Sequence, residues 1–165
     1  YDDPDWTPAT RPVDFGRDVD NADERVATVL NANDPDLQPF FARGGKIVAY
    51  GAWADHLISP LNQIQFYERV AATLGGRDQI DDAYRLFMVP GMNHCQGGKG
   101  TDTFDMLGAL EAWVERSETP NRIEASHVEE GVVQRTRPLC PYPQVATYIG
   151  RGNTDDAENF VCQAP

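Results

Sequence analysis

The chain has 165 residues, with 14 Lys and Arg against 26 Asp and Glu, which gives a formal net charge of −12. An acidic balance of this size argues against nucleic acid or an anionic membrane as a partner, because phosphate-rich surfaces are bound by clustered cations. Hydrophobic residues make up 41% and charged residues 24%, which is typical of a folded domain and excludes a disordered chain. No apolar run reaches the roughly 18 residues needed to cross a bilayer.

The first residues are polar and contain several prolines. We interpret residues 1–21 as an extended arm or a truncated connection, because Pro4, Pro8 and Pro12 interrupt any regular element there. The chain begins with Tyr1 instead of Met, so we expect a processed or truncated end. Residues 22–165 are predicted to form the folded domain.

Four helices are predicted from apolar spacing and from their start signals. Apolar side chains at helical intervals indicate a helix over Asp23–Leu30. Asp34-Pro35 and Ser59-Pro60 are each typical of an N-cap followed by a first-turn proline. Asp102 is predicted to cap the last helix. Glycine pairs or a proline follow three of these segments and indicate where they end.

Two short apolar runs, Lys46–Tyr50 and Tyr84–Val89, are predicted to be buried strands. A helix lies between them, so we expect a parallel pair in an α/β sheet that is covered on both faces. Two strands alone do not make a stable open sheet, so either residues 121–150 or another polypeptide must extend it. Beyond residue 121 the chain is predicted to be irregular, with short strand candidates at Ile123–Ala125 and Val132–Gln134.

The candidate catalytic residues follow these two strands. Asp55 lies in the loop after the first strand, and His94 and Cys95 lie in the loop after the second. Functional groups of α/β sheets gather at the carboxyl ends of strands, and neighbouring strands are only ~5 Å apart. A carboxylate behind an imidazole fixes the imidazole tautomer and stabilises the imidazolium in nucleophilic hydrolases. The order Asp then His also matches α/β-hydrolases, whose triads run Ser, Asp, His along the chain.

Other interpretations of the same residues remain open. An Asp and a His in loops are often ordinary solvated residues. His56 and His127 compete with His94 for the role of base, although His127 lies in a polar stretch and is predicted at the surface. No ligand spacing supports a zinc site at His94 and Cys95, and we predict no metal in this chain. Glycines follow His94, but no Gly-Lys-Ser/Thr accompanies them as a phosphate loop requires.

A nucleophilic serine is not evident. The three serines are Ser59, Ser117 and Ser126, and none lies in Gly-x-Ser-x-Gly or at a strand-to-helix elbow. Ser59 is explained as a helix cap, and Ser117 ends a helix. The sequence therefore predicts an acid and a base without the residue that attacks the substrate.

Three cysteines are present, and their spacing matches no C-x-x-C metal or redox pattern. An odd number in an oxidising compartment indicates one disulfide and one thiol whose partner lies elsewhere. Three reduced cysteines are the alternative, and spacing alone leaves both open. The residues are Cys95, Cys140 and Cys162.

Several long motifs occur in order along the chain. They are GGKIVAYGAWADHLISP at 44–60, VPGMNHCQGG at 89–98, FDML at 104–107 with WVE at 113–115, and RTRPLCPYPQV at 135–145. With these motifs, residues 22–162 resemble the tannase and feruloyl esterase family. The resemblance implies an α/β-hydrolase fold with an inserted lid that acts on esters of aromatic acids. Residues 22–165 would be the C-terminal part of that catalytic domain, and the lid would be absent from this chain.

The resemblance also implies roles for individual residues. Asp55 matches the acid of a Ser-His-Asp triad, and His94 matches the general base. Cys95 matches a cysteine that is bonded to the Cys of a Cys-Ser nucleophile motif, which would lie outside this chain. Cys140 and Cys162 match a second disulfide, and such a bond stabilises by roughly 3 kcal/mol in the chain-entropy description.

The implied partners are a small-molecule aromatic ester and the N-terminal part of the same enzyme, which would carry Cys-Ser. A structural calcium would belong to the missing lid, and no cofactor is predicted in this chain. The resemblance implies a secreted or periplasmic enzyme, with no nucleic acid or membrane partner. The alternative is a non-catalytic fragment or binding module that keeps the hydrolase scaffold.

Overall fold

The computed structural model describes residues 3–165, which divide into two compact units, one ending at Asp34 and the other spanning Pro35–Pro165. The prediction that concerned Tyr1 lies outside the described residues. In the first unit, helix α1 runs over Arg17–Leu30, so the predicted extended arm is wrong from Arg17 onward. The side chain of Asp14 accepts the backbone N–H groups of Gly16 and Arg17, which starts the helix earlier than apolar spacing indicated.

The second unit is built on a parallel pair of strands, β1 at Ile47–Ala52 and β2 at Tyr84–Val89. The register runs from Ile47 opposite Tyr84 to Ala52 opposite Val89. The predicted parallel pair and the mixed α/β class are therefore confirmed. Because the strands are in register and parallel, the loops that follow Ala52 and Val89 leave the same end of the sheet.

Side chains of β2 alternate between two apolar clusters, as a period of two requires. One face packs on the helix between the strands, and the other face packs on the strands that follow residue 121. The first cluster contains Tyr67, Val70, Ala71, Ile80, Tyr84, Leu86 and Met88. The second contains Ala52, Phe87, Val89, Met92, Ile123, Ala125 and Leu139. The sheet is thus covered on both faces, as predicted.

Four helices belong to this unit: α2 Gln38–Phe41, α3 Pro60–Thr73, α4 Arg77–Ile80 and α5 Met106–Arg116. Pro60 begins α3 as predicted, but the Ser59 hydroxyl makes no cap hydrogen bond. The predicted start at Asp34-Pro35 is wrong, because Asp36 accepts the Gln38 N–H and the helix begins there. The predicted cap Asp102 is also wrong, because Asp105 caps α5 and accepts the Gly108 N–H at 2.7 Å.

The segment after residue 100 is more regular than predicted. Strands β3 Thr103–Phe104, β4 Ile123–Glu129 and β5 Val132–Leu139 form an antiparallel sheet in the order β3-β4-β5. Strands β6 Val145–Tyr148 and β7 Phe160–Gln163 form an antiparallel pair. The two short strand candidates, Ile123–Ala125 and Val132–Gln134, are therefore parts of the longer strands β4 and β5. The disulfide predicted between Cys140 and Cys162 is present, with 5.5 Å between the Cα atoms.

The two edges of the parallel pair differ. The outer edge of β2 is covered, because the Tyr142 N–H donates to the Leu86 carbonyl at 2.7 Å and Pro141 bridges to Phe87. Among residues 3–165, no strand pairs with the outer edge of β1. None of the helices in this described range is long and apolar enough to cross a membrane.

Candidate active site

The loops after β1 and β2 are joined by backbone hydrogen bonds. The N–H of Trp53 donates to the Val89 carbonyl, and the N–H of Ala54 donates to the Met92 carbonyl, both at 3.0 Å. Met92 is fully buried and anchors the second loop in the core. These bonds place Asp55, the next residue of the first loop, beside the segment that carries His94.

The loop from Gly91 to Gly100 folds back on itself through close backbone contacts. The Asn93 N–H donates to the Gly97 carbonyl at 2.9 Å, and the Gly100 N–H donates to the Gly91 carbonyl at 3.0 Å. A side chain at Gly98 would collide with the carbonyl oxygen of Gly91, so glycine is required there by a close approach. Close contacts account for Gly98 and Gly100, and a φ of 73° accounts for Gly97, without a phosphate ligand.

Asp55 and His94 are in direct contact. Asp55 Oδ2 lies 2.8 Å from Nδ1 of His94, and Asp55 Oδ1 accepts the N–H groups of Leu57 and Ile58 at 2.8 and 2.9 Å. The backbone N–H of Ile58, followed by the imidazole of His94, lowers the pKa of the Asp55 carboxyl from 3.8 to about 2. An ionised carboxylate only accepts hydrogen bonds, so Nδ1 carries the proton and Nε2 is left to exchange protons with another group.

A cavity of about 220 Å³ lies over this pair. The Asp55 side chain is only 12% exposed, whereas that of His94 is 40% exposed, so the imidazole is the accessible member of the pair. The cavity is also lined by the ends of β1 and α3, among them Tyr50, Ser59 and Gln63. The sequence predicted only a capping role for Ser59, and no motif indicated that it lines the cavity.

Cys95 lies next to the base and lines the same cavity. It is exposed, it has no disulfide partner within this chain, and its φ of 65° lies in the left-handed region that non-glycine residues rarely adopt. The backbone at this position therefore has a strained conformation beside the candidate base.

The other sequence candidates do not line the cavity. His56 is exposed in the loop after β1. His127 lies within β4, where its Nε2 is 3.3 Å from Glu129 and its Nδ1 is 3.8 Å from Asp102. Its side chain is 19% exposed, so the predicted surface position is only partly correct. Within residues 3–165, no three His, Cys, Asp or Glu side chains are grouped as a metal site requires.

Comparison with known proteins identifies related sequences over nearly the whole chain. The model of the family "Tannase and feruloyl esterase" matches residues 10–163. The chain is 49% identical over 137 residues to a mono(2-hydroxyethyl) terephthalate hydrolase of Piscinibacter sakaiensis, covering 81% of this chain and 22% of that protein. It is 33% identical to a probable feruloyl esterase of Arthroderma benhamiae, covering 94% of this chain and 29% of that protein.

Solved structures show the same relationship. Feruloyl esterase B from Aspergillus oryzae superposes with a TM-score of 0.84 at 28% identity, covering 99% of this chain and 35% of that one. An esterase from the same organism superposes with a TM-score of 0.87 at 31% identity, again over 99% and 35%. The chain thus spans between about a fifth and a third of the length of the proteins that it matches.

Proposed function

The chain belongs to the tannase and feruloyl esterase family, and from this premise we propose that it is the C-terminal part of an α/β-hydrolase domain in a serine carboxylesterase. Asp55 is the acid of the triad and His94 is the general base. The observation that carries the proposal is the 2.8 Å contact between Asp55 Oδ2 and His94 Nδ1 beside an open cavity.

The proposed steps are those of acyl transfer through a covalent intermediate. His94 Nε2 accepts the proton of a serine hydroxyl while the serine oxygen bonds to the acyl carbon of the ester. The ester C–O bond then breaks, and the imidazolium returns the proton to the leaving alcohol. Water repeats the sequence on the acyl-enzyme and releases the acid. Asp55 stabilises the imidazolium in both halves and itself stays ionised.

We place the nucleophile in a part of the protein outside this chain. The chain accounts for 22% of the terephthalate hydrolase and 35% of each matched structure, so most of a full-length relative lies beyond it. The strand β1 is uncharged over Ile47–Ala52 and carries no proline, so it lacks the charges and prolines that protect many exposed edges. We propose that a strand of the remaining polypeptide pairs there, and that Cys95 bonds to a cysteine beside the nucleophilic serine.

The substrate class and location follow from the same family. We propose an aromatic-acid ester as substrate, selected by a lid outside this chain. Any structural calcium would belong to that lid as well. We also propose a secreted or periplasmic location, because the Cys140–Cys162 bond is of a kind that persists in oxidising compartments.

The test uses the full-length protein that contains this chain. We expect it to hydrolyse methyl ferulate or a related aromatic methyl ester faster than methyl hexanoate, and to be labelled at one serine by a fluorophosphonate. Non-reducing peptide mapping should find Cys95 linked to the peptide that carries this serine. The variant Ser59→Ala is expected to keep its labelling, because Ser59 is not the nucleophile.

The alternative is a binding module that keeps the scaffold without turnover. It predicts no labelled serine, no hydrolysis of either ester and a free Cys95 thiol. Labelling at Ser59 itself would contradict the proposed location of the nucleophile while leaving the esterase class intact.

A further inference from the structure

Asp102 does not line the cavity, but it contacts the loop that carries the candidate base. Its Oδ2 accepts the backbone N–H of Gly97 at 2.6 Å. The carbonyl of Gly97 in turn accepts the N–H of Asn93 at 2.9 Å, and Asn93 directly precedes His94. One glycine residue therefore connects the Asp102 carboxylate to the backbone of the base.

Hydrogen bonds set the conformation of this loop at its glycines. Gly97 and Gly98 have φ values of 73° and 97°, and glycine loses more conformational freedom on ordering than any other residue. A Cβ placed on Gly97 would have no neighbour within 4 Å, so side-chain packing does not hold this position. Its two hydrogen bonds, to Asp102 and to Asn93, are the contacts that fix it.

His127 lies beside the other oxygen of the same carboxylate. Its Nδ1 is buried without a hydrogen-bond partner and lies 3.8 Å from Asp102 Oδ1. Both side chains are 19% exposed, so the two groups lie mostly out of contact with water. Because His127 belongs to β4, this contact ties the loop to the three-stranded sheet.

We infer that Asp102 is a positioning residue for His94, acting through Gly97 and Asn93. It does not touch substrate, and its effect is to keep the imidazole within reach of the reacting groups. The inference rests on the proposed function, since it assumes that His94 is the base. A displacement of about 1 Å in a catalytic group is enough to cost roughly 100-fold in rate.

The experiment measures steady-state kinetics of the full-length protein with an aromatic methyl ester. We expect Asp102→Ala to lower kcat by roughly 10- to 100-fold while KM changes by less than about 3-fold, because positioning affects the chemical step. Asp102→Asn keeps an oxygen that accepts the Gly97 N–H, and its kcat should stay within about 5-fold of wild type. Hydrogen exchange at the Gly97 amide should accelerate at least ~10-fold in Asp102→Ala.

Asp105 provides a matched control three residues away. It also accepts a glycine N–H, that of Gly108 at 2.7 Å, but this bond caps α5 and does not reach the His94 loop. Asp105→Ala should lower the Tm and leave kcat within about 2-fold of wild type. It should also leave Gly97 exchange unchanged.

Each outcome decides the inference. Normal kcat in Asp102→Ala, or an equal loss of kcat in Asp105→Ala at equal loss of Tm, would overturn it. If Asp102→Ala does not fold, Asp102→Ser is used instead. The serine side chain is polar but too short to restore the 2.6 Å contact with the Gly97 N–H. His94→Ala in the same assay separates the two proposals. Activity in His94→Ala contradicts the proposed function, whereas an inactive His94→Ala beside a normal Asp102→Ala contradicts only the positioning role.

Discussion

Two aspartate–histidine pairs lie in this unit, and they differ in how close the partners come. Asp55 and His94 are 2.8 Å apart, whereas Asp102 and His127 are 3.8 Å apart, which is too far for a hydrogen bond. In both pairs the carboxylate also accepts backbone N–H groups. The presence of an oriented carboxylate therefore does not distinguish the two.

The distinction lies in the elements that carry the imidazoles. His94 lies in a loop at the carboxyl end of β2, where its side chain is 40% exposed beside a cavity. His127 lies within β4, beside a register shift between His127 and Val128, and it is 19% exposed. A histidine in a strand-end loop is free to meet a partner from the next loop and still face a ligand. Asp102 directly precedes β3 and His127 lies in β4, and neither lines the cavity.

The largest expected difference between the pairs is in the loss of kcat when each histidine is replaced by alanine. In the full-length protein, His94→Ala should lower kcat by roughly 10⁴- to 10⁶-fold, because the members of a triad act as a unit. His127→Ala should lower it by no more than about 5-fold. Steady-state hydrolysis of an aromatic ester measures both. Equal losses in the two variants would contradict a functional difference between the pairs.

Substitution of the carboxylates should likewise lower kcat more at Asp55 than at Asp102. Asp55→Asn preserves the shape of the side chain but presents an amide to Nδ1, which favours the wrong imidazole tautomer, so we expect kcat to fall roughly 10³- to 10⁴-fold. Asp102→Asn should stay within about 5-fold of wild type. A mild Asp55→Asn phenotype would show that the 2.8 Å contact is structural.

The third prediction concerns the cysteine beside the base. If Cys95 is bonded to a cysteine elsewhere in the full-length protein, Cys95→Ser should remove about 2–4 kcal/mol from the free energy of unfolding and also reduce kcat, since the bond ties the base loop in place. The double variant Cys140→Ser/Cys162→Ser is the control. It should cost roughly 3 kcal/mol with little change in kcat. An unchanged Tm and rate in Cys95→Ser would contradict the bond.

The smallest expected effect is the pH dependence of stability. The folded-state pKa of Asp55 is lowered to about 2, so ionised Asp55 stabilises the folded protein above its unfolded pKa of about 3.9. This contribution is lost as the pH falls through about 2. The Tm difference between wild type and Asp55→Asn should therefore narrow as the pH falls from about 4 to about 2. A difference that stays constant over this range would contradict the lowered pKa.

The sequence predicted the parts of the fold that depend on local signals. We predicted the two apolar runs and the intervening helix at Pro60, because short strands and start signals are local properties. The parallel pairing was predicted from the helix that connects the two strands. Strands β6 and β7 were missed. Each is only four residues long, and four residues carry too little pattern to predict a strand.

The candidate site was also predicted only in part. The loops that carry Asp55 and His94 follow the predicted strands, so their proximity could be derived from topology. The role of Asp102 was mistaken for a helix cap, because Asp102 and Asp105 have the same local context. Only the fold-back of the glycine loop brings the Gly97 N–H to Asp102 instead.

The unequal edges of the β1–β2 pair have a practical consequence for anyone who produces this chain by itself. Pro141 and Tyr142 close one side, so the sheet accepts further strands from one direction only. In a separated chain the outer edge of β1 has no strand partner among residues 3–165, so we expect two molecules to pair along it. Expression of this chain alone is therefore expected to yield concentration-dependent dimers and aggregates, which a polypeptide that supplies the proposed neighbouring strand would suppress.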